Sequence, residues 1–167
     1  MDDRKWISKT PLHSQVINSE NLRITCNENS GASLISGSLV FAIQQLAPSA
    51  PILGALDIKP VLPFLLRISR DRGLLCTEKA LKKNGWFKDY AISAADDLYQ
   101  CFEITGNRWK EVLSACCTVQ ISSPSASCLF AGHTCLVVRN SNGFSVYVEK
   151  PEAAALWGYL EQLVNNI

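Results

Sequence analysis

No excess charge of either sign marks this 167-residue sequence: 16 Lys and Arg stand against 15 Asp and Glu, for a formal net charge of +1. Phosphate backbones and anionic lipid surfaces are held by a basic excess on some face, so neither a nucleic-acid nor a membrane partner is expected. Long uninterrupted apolar runs are missing as well. The most apolar stretch, residues 47–66, is broken by Pro48, Pro51, Pro60 and Pro63 and carries Asp57 and Lys59, which does not make a membrane-spanning helix. The opening residues Met1-Asp2-Asp3-Arg4-Lys5-Trp6 hold no apolar segment and no small-residue cleavage pattern. The expected location is therefore cytoplasmic, or one reached by a route without a Sec signal peptide. Internal repeats, charge blocks and low-complexity tracts are absent. So are a phosphate loop, a Gly-x-Ser-x-Gly elbow and a dinucleotide fingerprint, which removes the commonest nucleotide-binding and serine-hydrolase signatures.

What is present points to a folded chain. Apolar residues make up 47% and charged residues 19%, a balance that supports a packed core. At this length a single domain over residues 1–167 can bury enough surface without a disulfide or a structural metal. Seven cysteines, an odd number, are expected as reduced thiols, most of them packed as small hydrophobes.

Apolar spacing predicts a helix over residues 32–46, where Ile35, Leu39, Ile43 and Leu46 share one face, Leu34 and Phe41 widen it, and Pro48 ends it. Val61, Leu65 and Ile68 predict a second helix over 60–72, with Pro60 in its first turn and Gly73 past its end. Thr77 is placed to cap a short basic helix over 78–84. Ser93 and Asp96 resemble a capping box for a helix over 94–102, and Asn107 could cap another over 108–116. Leu156, Leu160, Leu163 and Val164 define a last helix over 152–164, opened by Pro151. Alternation predicts strands at 22–26, at 118–121 and in a hairpin over 128–149. The expected class is α+β: a helical N-terminal and middle region packed on a small antiparallel sheet, with a C-terminal helix.

The hairpin carries the candidate chemistry. Gly132-His133-Thr134-Cys135-Leu136-Val137-Val138 resembles the catalytic-histidine strand of papain-like cysteine hydrolases of the NlpC/P60 kind. Cys26 lies upstream of the predicted 32–46 helix, in the order such folds require. In place of the family's Asp-Cys-Ser-Gly, this chain has Thr25-Cys26-Asn27-Glu28-Asn29-Ser30-Gly31. The resemblance implies a small bacterial amidase or peptidase, acting on a cell-wall or other peptide substrate, with Cys26 as nucleophile and His133 as base and then acid. The chemistry requires a thiolate, hence a neighbouring imidazolium or helix N-terminus that lowers the thiol pKa.

A third group should orient the imidazole, and Glu149 on the second hairpin strand is the candidate. The turn decides whether it can. A two- or four-residue loop puts Glu149 on the opposite face from His133; a three-residue loop, Ser141-Asn142-Gly143 with Gly143 left-handed, puts it on the same face. Cys116, Cys117, Cys128, His133 and Cys135 could supply zinc ligands, but their spacing fits no paired Cys-x-x-Cys pattern. The deaminase signature is lacking too. Neither a metal nor a cofactor is therefore expected, and His13 reads as an exposed residue. The competing function is a non-catalytic protein-binding module, such as an immunity or adaptor protein, in which the hairpin and Trp86, Phe87, Trp109 and Trp157 meet a partner. Either way the expected partner is a peptide or protein. The oligomeric state stays open.

Overall fold

The structure is a computed structural model and describes residues 15–27, 31–118 and 123–167. In chain order the elements are β1 (Val16–Ser19), β2 (Leu22–Asn27), β3 (Ala32–Gly37), α1 (Leu39–Leu46), β4 (Ile52–Leu53), β5 (Phe64–Arg67) and β6 (Arg72–Cys76). There follow β7 (Gly85–Trp86), β8 (Tyr90–Ala94), β9 (Tyr99–Thr105), α2 (Trp109–Cys116), β10 (Ser127–Phe130), β11 (His133–Asn140), β12 (Gly143–Glu149) and α3 (Lys150–Asn166). The strands form two six-stranded sheets, ordered β1-β2-β9-β12-β11-β10 and β4-β5-β6-β3-β8-β7.

Four layers result. The two sheets meet face to face through Phe64, Leu66 and Leu74 of the second and Leu136, Val138 and Tyr147 of the first. The outer face of the first sheet, with Ile24, Phe102, Phe144 and Val146, is covered by Val112 of α2 and Leu156 and Leu160 of α3. The outer face of the second sheet, with Ile35, Leu65, Leu75 and Ile92, is covered by Leu39, Ala42 and Ile43 of α1. Because both sheets are covered on both sides, their central strands are buried on both faces, as in Phe64-Leu65-Leu66 and Leu74-Leu75-Cys76.

This corrects the expected α+β class. The described residues are mainly β, 42% strand and 23% helix, and the expected helical N-terminal and middle region is not seen among them. The reason lies in ambiguous apolar runs. Residues 32–37 are a strand; Gly37, at φ +109° and with Asp89 O only 2.6 Å from where a Cβ would sit, ends it. The helix starts only at Leu39, where Ser38 Oγ accepts from Phe41 N at 3.4 Å. Ile35 and Leu39 do face the same core, one from a strand and one from a helix, so their spacing of four mimics a single helix face. Residues 64–76 form the β5–β6 hairpin rather than a helix. No helix forms over 78–84, where the Thr77 hydroxyl donates to Lys79 O at 2.7 Å. Over 94–102, Asp96 caps no helix; its Oδ1 accepts from Ala32 N at 2.7 Å. The chain there crosses from β8 into β9, whose alternation buries Phe102 and Ile104 on one face and Cys101 on the other.

The expectations at 22–26, 108–116, 128–149 and 152–164 match β2, α2, the β10–β12 strands and α3. His13 and most of the predicted 118–121 strand lie outside the described residues. Among the described residues no helix is long and apolar enough to cross a membrane.

Candidate functional site

The structure does not bring Cys26, His133 and Glu149 together. Cys26 is the penultimate residue of β2, 1% exposed, among the outer-face core residues, not at the N-terminus of a helix. Strands β9 and β12 stand between β2 and β11; three strand spacings make about 14 Å. The β11–β12 hairpin has the two-residue loop, because Asn140 pairs with Gly143. That register puts Glu149 on the face opposite His133, paired with Tyr99 of β9. The Gly132 that precedes the histidine has a turn role: Phe130 pairs with His133, and the two loop residues Ala131 and Gly132 both have positive φ, +50° and +86°, as a tight hairpin turn of the primed kind requires.

His133 does have a carboxylate partner, one that the sequence did not reveal. Its Nδ1 lies 2.6 Å from Glu152 Oε2, and since a carboxylate only accepts, that nitrogen carries the proton. Glu152 stands in the first turn of α3, next to Pro151, so the pair ties the start of α3 to the start of β11. No thiol is poised as a nucleophile beside it. Cys135, two residues along and 1% exposed, is pushed up to about 12 by burial and by the Glu152 charge. Burial likewise pushes Cys76, Cys101 and Cys116 up to about 12 and raises Cys117 and Cys128. Cys117 and Cys128 are half-buried with their sulfurs 3.4 Å apart. Among the described residues, no three His, Cys, Asp or Glu side chains are grouped to hold a metal ion.

A different polar constellation lies between the sheets. On the inner face of the first sheet, β9 and β12 set Glu103 opposite Ser145 and Cys101 opposite Tyr147, while β2 sets Asn27 opposite Cys101. Lys59 arrives from the loop before β5, fixed by its backbone N–H donating to Arg139 O at 2.9 Å. Its ammonium donates to Ser145 Oγ at 2.8 Å and lies 3.7 Å from Glu103 Oε1. The Glu103 carboxylate is held instead by two amides, Asn27 Nδ2 at 3.1 Å and Asn140 Nδ2 at 3.0 Å. Gln100 Nε2 donates to Asn27 O at 2.7 Å and steadies that strand end. The Tyr147 hydroxyl stands between the Cys76 and Cys101 thiols, and burial holds it well above the usual tyrosine range. Of these groups, Lys59, Asn27, Cys76, Cys101 and Tyr147 border a cavity of about 280 Å³, whose apolar side is Val61, Leu62 and Phe64. Inner-face positions two apart on β9 and β12 were the available signal, but a helical assignment of 94–102 hides that period.

The second sheet ends on an aromatic edge. Its last strand is β7, where Trp86 is 90% exposed. Beside it Phe87 stacks on Tyr90, ring centroids 4.9 Å apart, and Lys83 lies over the Phe87 ring at 5.0 Å. Of the other aromatic residues singled out in the sequence, Trp157 is buried against Phe102 and Trp109 is half-buried against Phe144.

No protein-family model matches this chain, and no curated protein does. Among solved structures it is similar to a chain of the heterotetrameric sarcosine oxidase from Corynebacterium sp. U-96 in complex with pyrrole 2-carboxylate. The identity is 11%, the match covers 90% of this chain and 88% of that chain, and the TM-score is 0.67. At that identity the likeness shows the fold alone. It overturns the expectation of a papain-like hydrolase of the NlpC/P60 kind: the chain has the mainly β fold of an oxidase chain, not an α+β hydrolase fold.

Proposed function

We propose that this chain works as a subunit of a protein assembly and docks on its partner through the aromatic edge of the second sheet. The observation that carries the reading is Trp86, 90% exposed on an edge strand. Burying about 150 Å² of a tryptophan in an interface can contribute about 4 kcal/mol. Tryptophan is also enriched among the residues that dominate interface energetics. Phe41 and Phe87, each 37% exposed, extend the apolar surface, and β7 leaves backbone groups open to a further strand. Lys83 over the Phe87 ring and Lys88 beside Trp86 add positive charge to the edge. Charged residues of this kind keep an edge from pairing with itself, and they equally favour an acidic partner surface. The fold likeness supports the reading because the similar chain, matched over nearly its whole length, belongs to a heterotetramer.

The test is co-purification of the chain from the cells that make it, with mass measured by light scattering, for wild type and Trp86→Ser. The expected result is a stoichiometric complex that loses its partner in the variant at unchanged melting temperature. A wild-type chain that runs alone, or a complex indifferent to Trp86, overturns the proposal. A complex made only of copies of this chain would replace it with self-assembly.

A further inference from the structure

The inter-sheet cavity holds an ammonium with donors to spare. A lysine carries three N–H donors; among the described residues Lys59 gives one, to Ser145. The nearest Glu103 oxygen, at 3.7 Å, is beyond hydrogen-bond distance, because Asn27 and Asn140 hold that carboxylate in place. The Lys59 side chain is only 19% exposed, so its remaining donors face a restricted space rather than open water. That space is the cavity of about 280 Å³, whose opposite wall is Val61, Leu62 and Phe64. Val61, 84% exposed, is an apolar side chain at the rim that none of the described residues covers.

Each wall limits the ligand. The volume lies at the small end of ligand pockets. Lys59 is the one cation among the described residues that borders the cavity, and Glu103, 3.7 Å from its ammonium, already offsets part of its charge, so a single negative charge suits the site better than a dianion such as phosphate. Asn27, Thr77 and Tyr147 border the cavity too, but the wall of Val61, Leu62 and Phe64 has no polar group, so a sugar or a polyol laid against it would leave hydroxyls unpaired, at a cost. We infer that the cavity binds a small monocarboxylate with a short branched aliphatic body. The carboxylate takes the N–H donors of Lys59 that Ser145 leaves, and the body lies against Leu62 and Phe64 and covers Val61. This site is separate from the aromatic edge and does not depend on the docking reading.

The probes are 3-methylbutanoate, its amide 3-methylbutanamide, and inorganic phosphate, titrated into the full chain and followed by ¹H–¹⁵N chemical shifts. Expected is saturable binding of the acid with a Kd on the order of 1 mM, as a ligand of few atoms allows. The shifts should concentrate at Lys59, Leu62, Phe64 and Tyr147. The amide should bind about tenfold or more weaker, as should the acid to Lys59→Met, since a charge-assisted hydrogen bond is lost in both. Val61→Asp, a rim substitution that disturbs no packing, should weaken the acid severalfold through like-charge repulsion while the melting temperature holds. It keeps the test decisive if Lys59→Met unfolds. Equal binding of acid and amide, tighter binding of phosphate, acid binding indifferent to Val61→Asp, or no saturation by the acid each overturns the inference.

Discussion

The two faces of the first sheet are made by the same strands and differ in kind. Along β12, Phe144, Val146 and Val148 point outward into a wholly apolar core beneath α2 and α3, while Ser145 and Tyr147 point inward. Along β9, Phe102 and Ile104 point outward, and Cys101 and Glu103 inward. Neighbouring residues thus do opposite work: the outer face holds α2 and α3 on the sheet, and the inner face spends part of its burial on a lysine, a glutamate, two amides and a tyrosine. Buried polar groups are kept only where each finds a partner, and they seldom add stability over an apolar core. A polar cluster at the rim of the inter-sheet core is therefore where a binding role is to be sought.

The largest effect should come from the outer face. Phe144 is fully buried with the rings of Trp109 and Phe130 about it, so Phe144→Ala should cost about 3–5 kcal/mol in urea unfolding. On the inner face Tyr147→Phe removes only a hydroxyl hydrogen-bonded to a thiol and should cost about 1 kcal/mol or less. Equal losses would dissolve the contrast between the faces.

Alkali should next affect both faces together. Cys76 and Cys101 inside, and Cys116 and Cys135 outside, are raised from 9.0 to about 12 in the folded chain. The folded state therefore holds protons that the unfolded state gives up first. Their contribution is fully present below about pH 9 and is lost as the pH rises towards about 12. The melting temperature should fall steadily over that window; a flat profile would mean the thiols are not held neutral by burial.

Smaller again is Glu103→Ala, which leaves Lys59 with Ser145 as its polar partner and removes the acceptor shared by Asn27 and Asn140. It should cost about 1–3 kcal/mol, and Lys59→Met in the same background should restore part of that loss. Purely additive losses would show that the two side chains are not coupled. The smallest effect belongs to His133 and Glu152, a partly exposed pair. Glu152→Gln should change stability by less than about 1 kcal/mol. A loss of several kcal/mol would show that this pair, rather than the inner face, is the costly polar element of the sheet.

Particular residues show what was legible. The spacing of Leu156, Leu160 and Val164 identified α3, and Leu22, Ile24 and Cys26 identified β2, because each is covered on one side and so keeps a clean period. Phe64-Leu65-Leu66 and Leu74-Leu75-Cys76 have no such period, being covered on both sides, and a run of that kind reads equally as a buried strand or a helix segment. Ser93 and Asp96 carried a helix-capping pattern that the structure uses to hold Ala32 instead. The Gly132-His133 pair was visible as a strand opening, but its resemblance to a catalytic strand reflects a hairpin turn. Both residues could be seen in the sequence, whereas the Glu152 partner, 19 positions away, could not.

By itself the sequence determined a chain able to fold, a lack of charge excess, the one-sided helices α2 and α3, and the hairpin that ends the first sheet. These follow from composition and from local periods set by backbone geometry. Only the tertiary structure decided that two sheets stack, that Cys26 is core, that Glu149 turns away from His133, and that Lys59, Glu103, Ser145 and Asn27 meet. Those depend on strand order and on one-residue differences of register, and contacts between residues as far apart as Lys59 and Ser145 leave no local pattern in the chain.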